Sequence, residues 1–180
     1  MLKSIKVADL SDREERQNIW KQTTTTVAFV TSAFEGKEDV MACEWVIQCR
    51  KHPTPQFLIV VGKKKMTSEL ISKSGEFGLT FVSDEQAHLS HYSGSFSGYE
   101  EDKIQSNKFN LREGNLISAP IVQDGLLELE CKVSQTIDND ERFIFIGDVL
   151  HARYTEDKNP LIYHNKKYYK LGENVPKTLF

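Results

Sequence analysis

The sequence is short of most features that mark a specialised class. It has 3 cysteines, Cys43, Cys49 and Cys131, none in a CxxC pair, so no disulfide framework is indicated and reduced thiols are expected. Basic residues are not in excess: 23 Lys and Arg against 26 Asp and Glu leave a formal charge of -3. That balance gives no positive field for capturing phosphodiester backbones, and nucleic acid is not expected as a partner. The longest apolar run is FLIVV at 57–61, far below the roughly 18 residues of a membrane span. The opening stretch MLKSIKVADLSDREERQ lacks the apolar segment of a secretory signal. Both absences point to the cytoplasm.

Chemical signatures are equally sparse. No GxGxxG fingerprint and no doubly wound α/β alternation occurs, which excludes a dedicated nicotinamide-binding domain. Neither a nucleophile elbow nor a flanked catalytic cysteine is present, so hydrolysis is disfavoured and no catalytic acid, base or nucleophile is assigned. His88 and His91 share a helix face by spacing but have no third ligand nearby in sequence, and His52, His151 and His164 are scattered, so no metal site is assigned.

What the chain does have is the material for one folded domain over 1–180. Its 180 residues are 39% hydrophobic and 27% charged, the balance of a globular protein with a core. Most apolar segments are short, β-branched and bounded by turn residues. VAFVTS (27–32), FLIVVG (57–62), GLTFV (78–82), RFIFIGDVLHARYT (142–155) and YYKL (168–171) read as strands. LLELECKVS (126–134) alternates, with Leu127, Leu129, Cys131 and Val133 on one face and Glu128, Glu130 and Lys132 on the other, as in a half-buried antiparallel strand. Helices are few: TSELISKS (67–74) capped by Thr67, SDEQAHLSH (83–91) with a Ser83–Gln86 capping box, and SDREERQNIW near the N-terminus, packed down by Trp20. The class is all-β, a meander or barrel with a few short helices.

Three segments stand out chemically. In VGKKKMTSELI a strand ends, Lys63, Lys64 and Lys65 follow, and a helix begins whose free N–H groups can bind an anion; a solvated turn with a simple cap reads the same residues. DVMACEWVIQC is either a core strand edge or a backbone surface for a flat ring, with Trp45 as a wall. HYSGSFSGYEEDK (91–103) lies between ordered segments without a change of composition, so the connection from about 92 to 120 is an insertion within one domain, functional or disordered.

Taken in order, VAFVTS, VMACEW, HPTP, FLIVVGKKKMTSELI, SGEFGLTFVSDEQ, YSGSFSGYEEDKI, LELECKV, IFIGDVLHA and PLIYHNKKYYKL resemble the flavin reductase-like, FMN-binding split-barrel family, which includes flavoredoxin, over about residues 22–171. The resemblance implies a Greek-key split β-barrel that forms a homodimer with FMN near the subunit interface. It implies that Met41, Ala42, Cys43, Glu44 and Trp45 lie beside the flavin, that Lys64, Lys65 and Thr67 hold its phosphate, and that Ser95 and Lys103 belong to a loop closing over it. Ala42, Cys43 and Glu44 replace a Thr-Ala-Ser run common in the family, and Thr80 replaces an asparagine, so a hydroxyl contact to the flavin must come from backbone N–H groups. The implied activity is an NAD(P)H-dependent flavin reductase, with NADH or NADPH as donor and a redox protein or oxygenase as a further partner. A flavoredoxin-like carrier reduced by a protein partner, or a flavin-binding module without turnover, are the alternatives.

Overall fold

The computed structural model describes residue 6 and residues 13–175. Three helices, α1 (Arg13–Trp20), α2 (Met66–Ser74) and α3 (Ala87–Ser95), accompany twelve strands: β1 (Thr24–Thr26), β2 (Ala28–Phe34), β3 (Lys37–Cys43), β4 (Val46–Arg50), β5 (Gln56–Gly62), β6 (Glu76–Phe81), β7 (Leu111–Arg112), β8 (Ile121–Val122), β9 (Leu127–Asn139), β10 (Arg142–Tyr154), β11 (Ile162–His164) and β12 (Lys167–Tyr169). Seven strands form one antiparallel sheet in the order β3-β2-β6-β9-β10-β5-β4. Small sheets β1-β11-β12 and β7-β8 flank it.

Every strand expected from the sequence is present, and the protein is mostly β with few short helices. The β2–β3 hairpin turns on Glu35 and Gly36, both at positive φ (49° and 76°), as a tight two-residue turn with the twist of its strands requires. The edge strands β3 and β4 follow one another through Glu44 and Trp45, and Cys43 Sγ lies 3.9 Å from Val60 O on β5. The sheet therefore curls so that its two edges approach at this corner. No ladder joins β3 to β4 among the described residues, so in its hydrogen bonding the sheet is open and curled and not a closed barrel.

One face of the large sheet feeds a single core: Ala28 and Val30 of β2, Ile59 and Val61 of β5, Phe77 and Leu79 of β6, Leu129 and Cys131 of β9, and Phe145 of β10. Val27 and Phe29 serve a second core with Val40, Val82, Leu89, Ile104, Phe109, Val122 and Leu161. Both faces of β2 are thus covered, which is why VAFV shows no alternation. Close approach is built in at Gly78, where an added Cβ would sit 2.2 Å from Thr31 Oγ1, 2.7 Å from Ile121 Cδ1 and 3.0 Å from the Pro120 carbonyl oxygen. Gly78→Ala is expected to lower stability by about 1–3 kcal/mol in urea unfolding; an unchanged midpoint would show that Thr31 and the 120–121 segment can both give way freely.

Four local expectations need correction. Trp20 is 56% exposed and does not pin α1 down, and the first two residues of the SDREERQNIW segment lie outside the described residues. Lys65, not Thr67, takes the N-cap position of α2. The 83–91 segment begins as a 3-10 turn, Asp84–Gln86, with Ser83 N–H donating to Gln86 Oε1 at 3.3 Å, and α3 then runs on to Ser95. All of HYSGS (91–95) is therefore helix, and the connection after it contains β7 and β8. Finally, the glutamate face of β9 is not solvated: Glu128 and Glu130 are buried beneath the returning segment 111–116.

Candidate functional site

A cleft of about 700 Å³ opens where β5 runs into α2. Met41 and Val60 give it apolar wall, Gly62, Lys63, Lys64 and Lys65 form the turn, Ser97 comes from the segment after α3, and Asp140, Glu141 and Arg142 come from the β9–β10 hairpin. Such a volume is within the usual range for a cofactor or a small ligand.

The electrostatics of the turn depend on which cations are already matched. Lys63 pairs with Asp138 and lies over the Phe143 ring, 4.9 Å from its centroid. Lys64, Lys65 and Arg142 have no ion pair among the described residues. Lys65 makes no side-chain cap to α2, so the first-turn N–H groups of that helix keep the donors that a helix cannot satisfy internally. Positive side chains beside an uncapped nine-residue helix make a setting for a phosphate.

Of the residues expected at the flavin, Met41, Lys64 and Lys65 line this cleft. Trp45, 49% exposed, stands beside it with the Arg142 guanidinium 4.3 Å from its ring centroid. Its carbonyl accepts from Val60 N–H at 3.0 Å, which ties the β3–β4 corner to the cleft wall. Cys43 is buried, with its Sγ 3.5 Å from Trp45 O, and burial pushes its thiol up to about 11. At neutral pH it is a protonated packing residue. Ala42 is half-buried. Glu44 is half-buried as well, and desolvation raises its carboxyl above the ordinary range.

Thr67 and Lys103 meet elsewhere. The Thr67 hydroxyl donates to Asp39 Oδ2 at 2.5 Å, and Lys103 Nζ lies 2.9 Å from Asp39 Oδ1 and donates to Phe96 O at 3.2 Å. Asp39 and Lys103 are both nearly inaccessible, at 4% and 2% side-chain exposure. The Asp39–Lys103 ion pair, with Thr67 bonded to the same carboxylate, anchors the 96–103 segment to β3 and α2, so neither Lys103 nor Thr67 is free to grip a phosphate. Tyr99 adds a second tie by donating to Glu69 Oε2 at 2.6 Å. Ser95 ends α3 and donates to His91 O within its own helix, and Thr80 donates to Val122 O at 2.8 Å in the interior. The structure places neither on the cleft.

Sequence reasoning missed Asp39, Ser97 and Arg142. Asp39 carried a signal, a carboxylate directly before the apolar run VMAC; Arg142 carried only its place directly after the acidic turn DNDE.

The fold and the cleft define a mostly β protein with a ligand-sized, cation-lined cleft between a curled sheet and a short helix. The chain belongs to the flavin reductase like family, whose model matches residues 20–172. It is 25% identical over 165 residues to the reductase component of a 4-nitrophenol 4-monooxygenase/4-nitrocatechol 2-monooxygenase of Rhodococcus opacus, covering 92% of this chain and 83% of that one. It is 22% identical over 122 residues to the FMN reductase (NADH) RutF of Pseudomonas syringae, covering 68% of this chain and 66% of the relative. Several curated relatives are spanned over only about two thirds of their length. Among solved structures, flavoredoxin from Methanosarcina acetivorans superposes with a TM-score of 0.80 at 24% identity, covering 99% of this chain and 96% of that one. No helix among the described residues is long and apolar enough to cross a membrane.

Proposed function

We propose that the protein is an NAD(P)H-dependent flavin reductase that binds FMN in the cleft beside α2. The observation that carries this reading is the uncapped start of α2 with Lys64 and Lys65 beside it, next to the apolar Met41–Val60 wall. The donor set fits a mononucleotide: first-turn N–H groups and two unpaired lysines suit a phosphate dianion, and the wall suits a flat ring. Bound there, FMN would supply the redox chemistry, accepting a hydride from the nicotinamide. The chain's own residues hold the phosphate, orient the ring against Met41 and Trp45, and exclude water with the segment that Lys103 and Asp39 fasten down. No acid or base from the protein is required for hydride transfer between two rings.

A curled sheet with β3 and β4 meeting at Trp45 suits the split-barrel description, and the exposed Trp45, Ile47, Phe96 and Tyr99 suit a homodimer. Three free cysteines suit the cytoplasm. The likeness to an oxygenase reductase component makes an oxygenase the leading acceptor of reduced flavin. The likeness to flavoredoxin supports a second reading, a carrier that retains FMN and is reduced by a protein.

Lys64→Ala combined with Lys65→Ala is expected to weaken FMN binding about 10- to 100-fold by fluorescence titration, since each removes a charge-assisted contact. The thermal unfolding of the FMN-free protein should not move, because neither lysine side chain has a partner among the described residues. Unchanged FMN affinity would place the phosphate elsewhere.

A further inference from the structure

We infer that Arg142, stacked on Trp45, receives a second phosphate in this cleft, the 2′-phosphate of NADPH, and thereby selects the phosphorylated nicotinamide donor. The inference rests on the flavin reductase reading above and extends it to donor specificity.

The cleft holds two separate sets of unmatched positive charge. Lys64 and Lys65 lead into α2. Arg142 opens β10 and lies opposite Gly62 across the β5–β10 ladder. Lys63, which precedes Lys64 in the same turn, is already matched by Asp138 and Phe143. FMN brings one phosphate, which the lysines and the helix start accommodate, and Arg142 is left over.

Its N–H donors are available to a phosphomonoester. The guanidinium lies 4.3 Å from the Trp45 ring centroid, a cation–π contact that fixes its position while consuming none of its N–H donors. Asp140 and Glu141 line the same cleft, yet neither pairs with Arg142. A side chain at Gly62 would meet only Lys65 Cγ, at 3.8 Å, so the floor between the two positive sets is open. A planar fork with free donors matches two oxygens of a phosphomonoester at once, which a lysine cannot do. The 2′-phosphate of NADPH is such a group and NADH lacks it.

The test uses ADP-ribose and 2′-phospho-ADP-ribose, which carry no nicotinamide and need no turnover, titrated calorimetrically into the FMN-saturated protein. The wild type should bind the phosphorylated compound at least about 10-fold more tightly, the value of one good charge-assisted contact. In Arg142→Ala the two affinities should agree within about 2-fold, and Arg142→Lys, which keeps charge but loses the fork, should fall between. Equal affinities in the wild type, or a preference that survives in Arg142→Ala, overturn the inference. FMN titration of the same wild-type sample separates the two proposals. Absent FMN binding refutes the flavin assignment, whereas normal FMN binding with equal affinities refutes only the role of Arg142.

Discussion

Asp39→Ala is expected to cost about 3–5 kcal/mol of folding stability, because it leaves the Lys103 ammonium buried without its counter-charge. The loss is local in origin but wide in effect. Asp39 holds β3, α2 through Thr67, and the 96–103 segment through Lys103. Gly98 is fitted against the same carboxylate, where an added Cβ would come within 2.6 Å of Asp39 Oδ1. Urea unfolding measures the total, and limited proteolysis around 96–103 should show that segment opening first. A double replacement, Asp39→Leu with Lys103→Met, should recover much of the loss, since removing both charges avoids the unpaired one. A loss below about 1 kcal/mol in Asp39→Ala would mean that Lys103 reaches solvent easily, and the anchoring role would fall.

Glu130→Ala should be comparably costly, about 3–5 kcal/mol, for a similar reason on the opposite side of the sheet. Glu130 is fully buried, and its carboxylate accepts from Arg112 at 3.0 Å, from Asn115 Nδ2 at 2.9 Å and from Leu116 N–H at 2.7 Å. Burial pushes its pKa up, but the donors of Asn115, Leu116 and Arg112 outweigh that and hold the carboxyl below its ordinary value of 4.5. A folded value below the unfolded one means stability that is complete above the ordinary carboxylate range and lost as pH falls through the folded value. The wild type should therefore lose stability in acid, below about pH 4.5. Glu130→Gln should be less stable at neutral pH and show a shallower decline over that acid window. An identical acid slope in the two proteins would show that Glu130 is not the titrating group.

These two carboxylates also show where the sequence was informative and where it was not. The alternation in LELECKV located β9 and put Leu129 and Cys131 in the core. It could not show that Glu128 and Glu130 are covered too, because the covering residues, Arg112 and Asn115–Leu116, reach them through tertiary contacts that a period of two does not encode. The start of α2 was legible to one residue, but the cap was assigned to Thr67 by residue type, and tertiary pairing with Asp39 claims that hydroxyl instead. Ser93, Gly94 and Ser95 are weak helix formers, yet Leu89, Ser90 and Ser93 are buried as α3 packs on β3, and packing overrides propensity. At the cleft, Lys64 and Lys65 were legible because one strand–helix junction carries both, whereas Met41 was singled out through the family resemblance. Arg142 was not, since only the β5–β10 register brings it opposite Gly62.

The visible spectrum of the purified protein, mixed anaerobically with FMN and then with NADH or NADPH, separates a reductase from a carrier. The bound flavin's absorbance should bleach with at least one donor, with NADPH acting at the lower concentration. Flavin that binds but bleaches only with a chemical reductant would contradict the reductase and favour the protein-reduced carrier. Failure of FMN to bind, seen as an unperturbed spectrum and no gain in thermal stability, would contradict every flavin reading of the cleft.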